Sequence, residues 1–229
     1  PEIEDLSNCL IKMGAKIEGH GTKTILVQGV TNLKKAEHEI ISDRIVAGTY
    51  IIAALMLNSA LEINNFNTIY LKSLIDILKK MGAKLKVSKN SIKVFKGSKL
   101  KSSSLSTSPY PGFPTDLQAQ LMSLMCISDG KSKIKETIFE NRFMHVPELN
   151  RLGANITVEK DTATIIGNQT FKGAQVMASD LRASISLVLA AMNANGQTTL
   201  NRVYHLDRGY ENIEKTLGSL GAKIKRQKN

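Results

Sequence analysis

A five-residue phrase occurs four times in this chain of 229 residues, and no other feature constrains the fold as strongly. It reads Met/Leu-Gly-Ala-Lys/Asn-Ile/Leu and is found at Met13–Ile17, Met81–Leu85, Leu152–Ile156 and Leu220–Ile224. The four glycines, at positions 14, 82, 153 and 221, are 68, 71 and 68 residues apart. A regular period is typical of an array of one supersecondary unit, so the sequence predicts repeats of about 70 residues. The first copy is cut short.

Each phrase separates a helix from a hairpin. Apolar residues before the second copy recur at spacings of three and four from Leu71 to Met81, which predicts a helix with one buried face. Glycine just after the last apolar position is typical of a helix C-terminus. Residues 83–87 and 92–94 then alternate in polarity, which predicts two antiparallel strands. The fourth copy has room for a single strand, whose partner is expected to come from elsewhere.

A second signature in each repeat is an aspartate at the start of an apolar helix. Asp43, Asp116 and Asp180 precede apolar runs at 45–57, 117–127 and 181–192. Carboxylates at such points favour the positive end of a helix, and helices that are apolar nearly all round are buried. Each unit therefore reads strand, buried helix, strand, surface helix, strand, strand. We predict an α/β fold of three βαβαββ units with three helices inside and the sheets outside.

The repeats also predict the domain organisation. Residues 42–229 are expected to form one domain, and residues 1–41 are expected to be the incomplete tail of a preceding domain in a protein that extends further toward its N-terminus. No apolar run reaches the roughly 18 residues of a membrane span, and no signal peptide is recognisable. Cys9 and Cys126 lie in apolar helical runs and are predicted to be buried, unreactive thiols.

The net charge of +11 has a local origin. Residues 79–101 contain nine lysines and no acidic residue. A solvated hairpin face is the favoured interpretation. Nucleic-acid binding is the alternative, but no aromatic or glycine-rich pattern accompanies the lysines. We therefore expect no nucleic-acid partner and no membrane partner.

A proline-rich segment leads into the second apolar helix. Three of the five prolines lie within residues 109–114, so Asp116 follows a stiff stretch of chain. A carboxylate held there can cap the helix, or it can serve as a general base on a rigid support. The spacing alone leaves both roles open.

Further charged residues occur at matching ends of the repeats. Residues 140–149 are dense in polar groups, and Asp180 with Arg182 follows one repeat later. Arg142, Arg182 and Arg208 are candidates to converge on one anionic ligand, since guanidinium groups bind phosphate and carboxylate in bidentate fashion. His145 has no partner at ligand spacing, so it is predicted to be a hydrogen-bonded polar residue rather than a metal ligand.

Four segments resemble one known family. Phe113–Gln120, Glu136–Leu149, Ala178–Ser184 and Asp207–Glu211 closely resemble the UDP-N-acetylglucosamine 1-carboxyvinyltransferases. The likeness covers the chain from Pro1 onward. The sister family, 5-enolpyruvylshikimate-3-phosphate synthase, shares the fold but does not carry the Asn-Arg-Phe-Met-His string at 141–145.

The resemblance implies a two-domain protein of six βαβαββ units, an inside-out α/β barrel in each domain, with the active site in the cleft between them. It implies transfer of the enolpyruvyl group of phosphoenolpyruvate to the 3-hydroxyl of UDP-N-acetylglucosamine, with release of phosphate. This is the first committed step of peptidoglycan synthesis. It takes place in the cytoplasm and uses no metal or cofactor.

Individual roles follow from the matching positions. Asp116 matches the aspartate that contacts the sugar 3-hydroxyl and acts as its base. The backbone of Ile138 matches a contact to UDP-N-acetylglucosamine, and Arg208 matches an arginine near the phosphate of phosphoenolpyruvate. Arg142, Asp180 and Arg182 match other residues of the cleft.

The family's mobile loop, with the cysteine or aspartate that protonates the methylene carbon, belongs to the first domain. Neither Cys9 nor Cys126 lies in the context of that loop, so this chain alone is expected to be inactive. Two alternatives stay open at this point: a truncated, non-catalytic chain of the same fold, and a transferase resembling 5-enolpyruvylshikimate-3-phosphate synthase.

Overall fold

The computed structural model describes residues 1–227. The last two residues of the predicted second domain, Lys228 and Asn229, lie outside that range. Within it the chain folds into repeated helix and sheet units, as the glycine period predicts.

The N-terminal segment precedes the repeats and stays outside their core. It contains α1 (Glu2–Lys12), β1 (Lys16–Glu18) and β2 (Leu26–Gln28), and the two strands pair antiparallel. Apolar side chains are exposed along its length, at Ile3, Leu6, Ile25, Leu26, Val27, Leu33 and Ile40. Ile45 is the first residue of the chain to belong to the hydrophobic core.

The first unit begins directly with its buried helix. Its elements are α2 (Arg44–Met56), β3 (Leu61–Asn64), α3 (Lys72–Lys80), β4 (Leu85–Val87) and β5 (Ser91–Val94). The sheet has the order β3-β5-β4, with both pairs antiparallel. The strand predicted before the helix is absent, because residues 29–43 form no ladder with the rest of the unit.

The second unit is complete. It contains β6 (Leu105–Ser106), α4 (Gln118–Ile127), β7 (Lys131–Lys135), α5 (Val146–Arg151), β8 (Asn155–Glu159) and β9 (Thr162–Ile166). Its four strands have the order β6-β7-β9-β8, and β6 pairs with β7 in parallel. This is the predicted βαβαββ order without omission.

The third unit has no hairpin after its last helix within residues 1–227. It contains β10 (Gln175–Met177), α6 (Leu181–Met192), β11 (Thr199–Asn201) and α7 (Ile213–Ser219), and its two strands pair in parallel. The strand predicted after the fourth glycine, whose partner was expected to come from elsewhere, does not form in the described part of the chain, because residues 222–227 pair with no strand. Arg226 instead reaches the carboxylates of Asp207 and Glu214 at 2.6 and 3.2 Å.

The repeated glycines have the predicted backbone conformation. Gly14, Gly82, Gly153 and Gly221 have φ values of 102°, 95°, 103° and 97°. This left-handed region is open to glycine at little cost, and it ends each helix at the same point. In three copies the preceding carbonyl accepts a backbone N–H from further along the chain, at 2.7 to 2.8 Å; the pairs are Met13 with Lys34, Met81 with Lys101, and Leu152 with Lys172.

The three apolar helices pack together in the interior, as predicted. α4 lies between the other two and contacts both α2 and α6. Their ends are also tied directly, since the Asn193 side chain donates to the Met56 carbonyl at 2.8 Å. The core also includes the inward faces of the sheets, such as Ile92, Ile134 and Ile165. The first turns of these helices therefore lie near one another at one end of the bundle.

No helix within residues 1–227 has the length and apolar character needed to cross a bilayer. The two cysteines differ from each other. Cys126 is fully buried on α4, and burial raises the pKa of its thiol to about 12, whereas Cys9 is only half-buried. The prediction of a buried thiol is confirmed for Cys126 alone.

Candidate active site

Asp116 lies where the second unit opens its central helix. It belongs to a short 3-10 turn, Thr115–Leu117, that precedes α4. Its carboxylate accepts no hydrogen bond from the backbone of that helix. Instead Oδ1 accepts from Nη2 of Arg142 at 2.9 Å, and Oδ2 accepts from Nη2 of Arg182 at 3.1 Å. Of the two roles open to Asp116, the structure excludes the helix cap.

The matching aspartates of the other units do cap their helices. Asp43 accepts from the backbone N–H groups of Ile45 and Val46 at 2.7 and 3.0 Å. Asp180 accepts from those of Arg182 and Ala183 at 2.8 and 3.0 Å. Asp180, a predicted cleft residue, therefore has its carboxylate directed to the first turn of α6.

Arg142 comes from the loop between β7 and α5. The loop turns at Asn141, whose φ of 53° is left-handed, and the Arg142 guanidinium lies 5.3 Å from the centre of the Phe139 ring. The Arg142 side chain is 23% exposed and that of Asp116 is 39% exposed, so solvent still reaches the pair. A ligand entering from solvent can therefore contact both groups.

Glu136 organises this loop, and sequence reasoning gave it no role. The residue is buried, with 4% of its surface exposed. Its carboxylate accepts from the hydroxyls of Thr107 and Thr115 at 2.8 and 2.9 Å, and from the backbone N–H groups of Ile138 and Phe139 at 2.9 and 3.3 Å. Thr115 precedes Asp116, so one carboxylate fixes both the Asp116 turn and the start of the Arg142 loop.

Ile138 is half-buried and its backbone is held by Glu136. It lines an open cavity of about 940 Å³, together with Arg142 and the β8–β9 hairpin residues Val158 and Lys160. The cavity therefore lies along the loop that carries Arg142.

His145 is buried, three residues after Arg142. Burial lowers its pKa to about 4, and the neighbouring charge of Arg142 adds to this, while the charge of Asp180 opposes it. The imidazole is therefore neutral at pH 7. The prediction of a fully hydrogen-bonded histidine is wrong in one respect, because Nε2 has no partner among the described residues.

Arg208 lies at the end of a 3-10 segment, Val203–Arg208, and is exposed. Within residues 1–227 it makes no hydrogen bond or ion pair with Asp116, Arg142 or Arg182. The next residue, Gly209, packs so closely on Leu181 that an added Cβ would lie 2.9 Å from Cδ2 of that leucine. The segment is thus held against the first turn of α6, with Arg208 exposed.

The arrangement has a definite chemical capacity. A carboxylate that is open to solvent can accept a proton from a bound hydroxyl. Two guanidinium groups beside it supply donors for phosphate or carboxylate oxygens. Of the three predicted arginines, the structure brings Arg142 and Arg182 together on Asp116 and leaves Arg208 separate.

The sequence matches a known family over most of its length. Residues 1–217 match the family described as EPSP synthase (3-phosphoshikimate 1-carboxyvinyltransferase). The chain therefore belongs to this family of enolpyruvyl transferases.

Two similar curated proteins carry the same name. The chain is 52% identical over 226 residues to the UDP-N-acetylglucosamine 1-carboxyvinyltransferase of Pelagibacter ubique, and 53% identical over 227 residues to that of Azorhizobium caulinodans. The alignments cover 99% of this chain but 54% and 53% of those proteins. The chain thus spans about half the length of the curated relatives it matches.

Solved structures confirm the fold. The enolpyruvyl transferase NikO from Streptomyces tendae superposes with a TM-score of 0.88 at 30% identity, covering 96% of this chain and 53% of that one. An EPSP synthase from Acinetobacter baumannii superposes with a TM-score of 0.74 at 18% identity, covering 97% and 55%. The predicted enolpyruvyl-transferase fold, with central helices and outer sheets, is therefore correct.

Proposed function

We propose that this chain forms one wall of the active site of an enzyme that transfers the enolpyruvyl group of phosphoenolpyruvate to the 3-hydroxyl of UDP-N-acetylglucosamine. The observation that carries the proposal is the environment of the Asp116 carboxylate. It does not cap a helix, and it accepts hydrogen bonds from Arg142 and Arg182. The identity of about 52% to transferases of that name supports the choice of substrates.

In the proposed reaction Asp116 is the general base. The sugar 3-hydroxyl oxygen bonds to C2 of phosphoenolpyruvate while its proton passes to Asp116, and C3 receives a proton from an acid outside this chain. The tetrahedral product then loses a proton from C3 and expels phosphate, which restores the double bond. General-base catalysis typically contributes about a hundredfold to ten-thousandfold, so Asp116 is the residue on which the rate depends most.

The arginines hold the anionic groups. Arg208, which is exposed and within residues 1–227 makes no ion pair with Asp116, binds the phosphate of phosphoenolpyruvate. Arg142 and Arg182 stabilise the negative charge that develops as the phosphate leaves, because charge-assisted donors are strongest where water is partly excluded. The backbone of Ile138 contacts the nucleotide sugar at the edge of the open cavity.

The domain organisation and location form part of the proposal. Residues 42–229 constitute the second domain, and residues 1–41 belong to a first domain that supplies the other wall of the cleft. The exposed apolar side chains before residue 41 and the greater length of the relatives support this arrangement. The enzyme would act in the cytoplasm, at the first committed step of peptidoglycan synthesis.

One observation favours a shikimate phosphate as a second candidate for the acceptor substrate. The matching family description is that of an enzyme acting on a shikimate phosphate. A transferase of that class would use the same Asp116 and arginines but would bind a small carbocyclic acceptor.

The experiment measures phosphate released from phosphoenolpyruvate by the full-length protein with either acceptor present. We expect release with UDP-N-acetylglucosamine and none with shikimate 3-phosphate or without acceptor. Release with shikimate 3-phosphate alone would establish the second candidate, and release with neither acceptor would overturn both.

A further inference from the structure

The turn that carries Asp116 and the loop that carries Arg142 are joined in two places. The first connection is the ion pair itself, in which Arg142 donates to Asp116 at 2.9 Å. The second is the carboxylate of Glu136. Its Oε2 accepts from the Thr115 hydroxyl at 2.9 Å, and its Oε1 accepts from the backbone N–H groups of residues 138 and 139 at 2.9 and 3.3 Å. These contacts form a closed ring that includes both the turn and the loop.

The two connections differ in their exposure to solvent. The side chains of Asp116 and Arg142 are partly exposed, and ion pairs in contact with water are screened and hold their geometry weakly. Glu136 is buried, and its four donors are all neutral hydroxyl or backbone N–H groups. A buried carboxylate that loses such a donor has no water to replace it. The connection through Glu136 is therefore the more rigid of the two.

The other repeats have no carboxylate at this position. The first residue after the equivalent strand is Asn65 in the first unit and Arg202 in the third, and both are left-handed, with φ values of 63° and 59°. The backbone of Glu136 instead continues the strand, since its N–H donates to the Asp161 carbonyl at 2.8 Å. Glu136 follows Ile134 by two residues, so the alternation of the strand places both side chains on the buried face. Among the three units, only the one that supplies Asp116 has this connection.

We infer that Glu136 is a positioning residue that holds the Asp116 turn and the Arg142 loop in a fixed relation, so that the Asp116 carboxylate meets the acceptor hydroxyl in the geometry that proton transfer requires. A displacement of about 1 Å at a catalytic group can lower a rate by about a hundredfold. The inference rests on the proposed function for its effect on catalysis, whereas the coupling between the turn and the loop is a property of this chain.

The first test measures amide hydrogen exchange by NMR in this chain. Thr115→Val keeps the side-chain volume but removes the hydroxyl that donates to Glu136, whereas Thr115→Ser keeps that hydroxyl. Relative to the core amide of Leu187, we expect the Ile138 N–H to exchange at least about twofold faster in Thr115→Val, the lower end of coupling within one hydrogen-bond network. It should exchange at the parent rate in Thr115→Ser. Unchanged Ile138 exchange in Thr115→Val would show that the turn and the loop are held independently, and would overturn the inference.

Thr68→Val is the matched control. Like Thr115, Thr68 is the first residue of a 3-10 turn before a helix, and its hydroxyl donates to the Ser88 carbonyl at 2.7 Å. The variant therefore removes a threonine hydrogen bond in the first unit and leaves the donors of Glu136 in place. Ile138 exchange relative to Leu187 should match the parent. An equal increase in this control would mean that lost stability is the cause, and would count against the inference.

Glu136→Gln keeps the test decisive if Thr115→Val fails to fold. The amide retains the volume, but it offers one acceptor oxygen in place of two, and hydrogen bonds to a carboxylate are stronger than those to an amide. The N–H groups of Ile138 and Phe139 should exchange about tenfold faster relative to Leu187. Parent-like exchange at both residues would overturn the inference.

Turnover of the full-length protein provides the catalytic readout. Thr115→Val should lower kcat by about tenfold to a hundredfold, with KM for both substrates within about twofold of the parent, and Thr115→Ser should restore kcat. If the parent shows no transfer, the proposed function fails, while the exchange rates still decide whether Glu136 couples the two segments. If the parent is active and Thr115→Val matches it in kcat, the positioning role fails and the proposed function stands.

Discussion

Asp43 and Asp116 precede equivalent central helices in successive repeats, and their carboxylates bind different groups. Asp43 accepts two backbone N–H groups of α2, whereas Asp116 accepts two arginine side chains from the loop before α5 and from α6. The 3-10 turn at Thr115–Leu117 separates Asp116 from the first turn of α4 and so directs its carboxylate outward. A repeated position therefore specifies where a carboxylate lies, but the turn before the helix decides what it binds.

The largest expected effect is on turnover, which should depend on the charge of Asp116 and not on that of Asp43. In the full-length protein, Asp116→Asn should lower turnover by about a hundredfold to ten-thousandfold, because an amide cannot accept the hydroxyl proton. Asp43→Asn should leave turnover close to the parent value, since asparagine caps a helix about as well as aspartate. Initial rates of phosphate release measure both.

Stability separates this result from simple unfolding. Asp116 is 39% exposed, so its ion pairs contribute little, and Asp116→Asn should change the free energy of unfolding by about 1 kcal/mol or less. A variant that is fully folded and fully active would remove Asp116 from the proposed role.

The second prediction compares the buried His145 with the solvent-accessible Asp116, and concerns how the free energy of unfolding changes with pH. His145 has its pKa lowered to about 4 by burial, against about 6.5 in an unfolded chain. As pH falls below 6.5 the unfolded state binds a proton that the folded state does not, so stability decreases until about pH 4. At about 1.4 kcal/mol per pH unit, the total loss is roughly 3 kcal/mol. Urea unfolding at several pH values measures this slope.

His145→Gln supplies the comparison for that slope, because it removes the titrating group from the same buried position. The part of the pH dependence due to His145 should then disappear between pH 6.5 and 4. An identical slope in the variant would show that other groups cause the acid sensitivity.

The third prediction concerns Arg208, which, within the described chain, does not contact Asp116 as Arg142 and Arg182 do. Arg208→Ala should raise KM for phosphoenolpyruvate about tenfold, the loss expected for one charge-assisted contact. The KM for UDP-N-acetylglucosamine should change less. Arg151→Ala is the control, because Arg151 is also an exposed arginine, with 61% of its side chain accessible to solvent. Equal effects of the two variants would mean that only overall charge matters.

The smallest expected effect is on the free energy of unfolding. It distinguishes helix capping by Asp43 from ion pairing by Asp116. Asp43→Ala should lower the free energy of unfolding by about 1 kcal/mol, and Asp43→Asn should recover most of it, since both side chains accept backbone N–H groups. At Asp116, asparagine and alanine should differ much less, because the arginines require a charge. Thermal unfolding of the four variants tests this, and a failure of asparagine to rescue position 43 would contradict the capping assignment.

The repeat predicted the fold because its signals are local. A glycine after an apolar stripe needs only its own backbone to end a helix, and all four glycines do so. The absence of a final strand could not be predicted from such local signals, because a strand forms only beside a partner strand. Residues 222–227 have none within the described chain, and Arg226 binds Asp207 and Glu214 instead.

Only those site residues were predicted that stand out by residue type or by likeness to the family. Asp116, Arg142 and Arg182 were singled out from the sequence, and they do meet. Glu136 was missed, because its partners Thr107 and Thr115 come from separate parts of the chain and leave no pattern in spacing. The one available signal for Glu136 was an acidic residue that continues the buried face of a strand.

The different burial of the two thiols gives the chain an internal reporter. Cys126 is fully buried on α4, whereas Cys9 is half-buried on α1, outside the core of the repeats. A thiol reacts with an electrophile only as a solvent-accessible thiolate. Cys9 is therefore labelled from the folded state, whereas Cys126 is labelled only in molecules whose core has opened. The ratio of the two rates measures how often this domain opens, without added denaturant or an introduced probe.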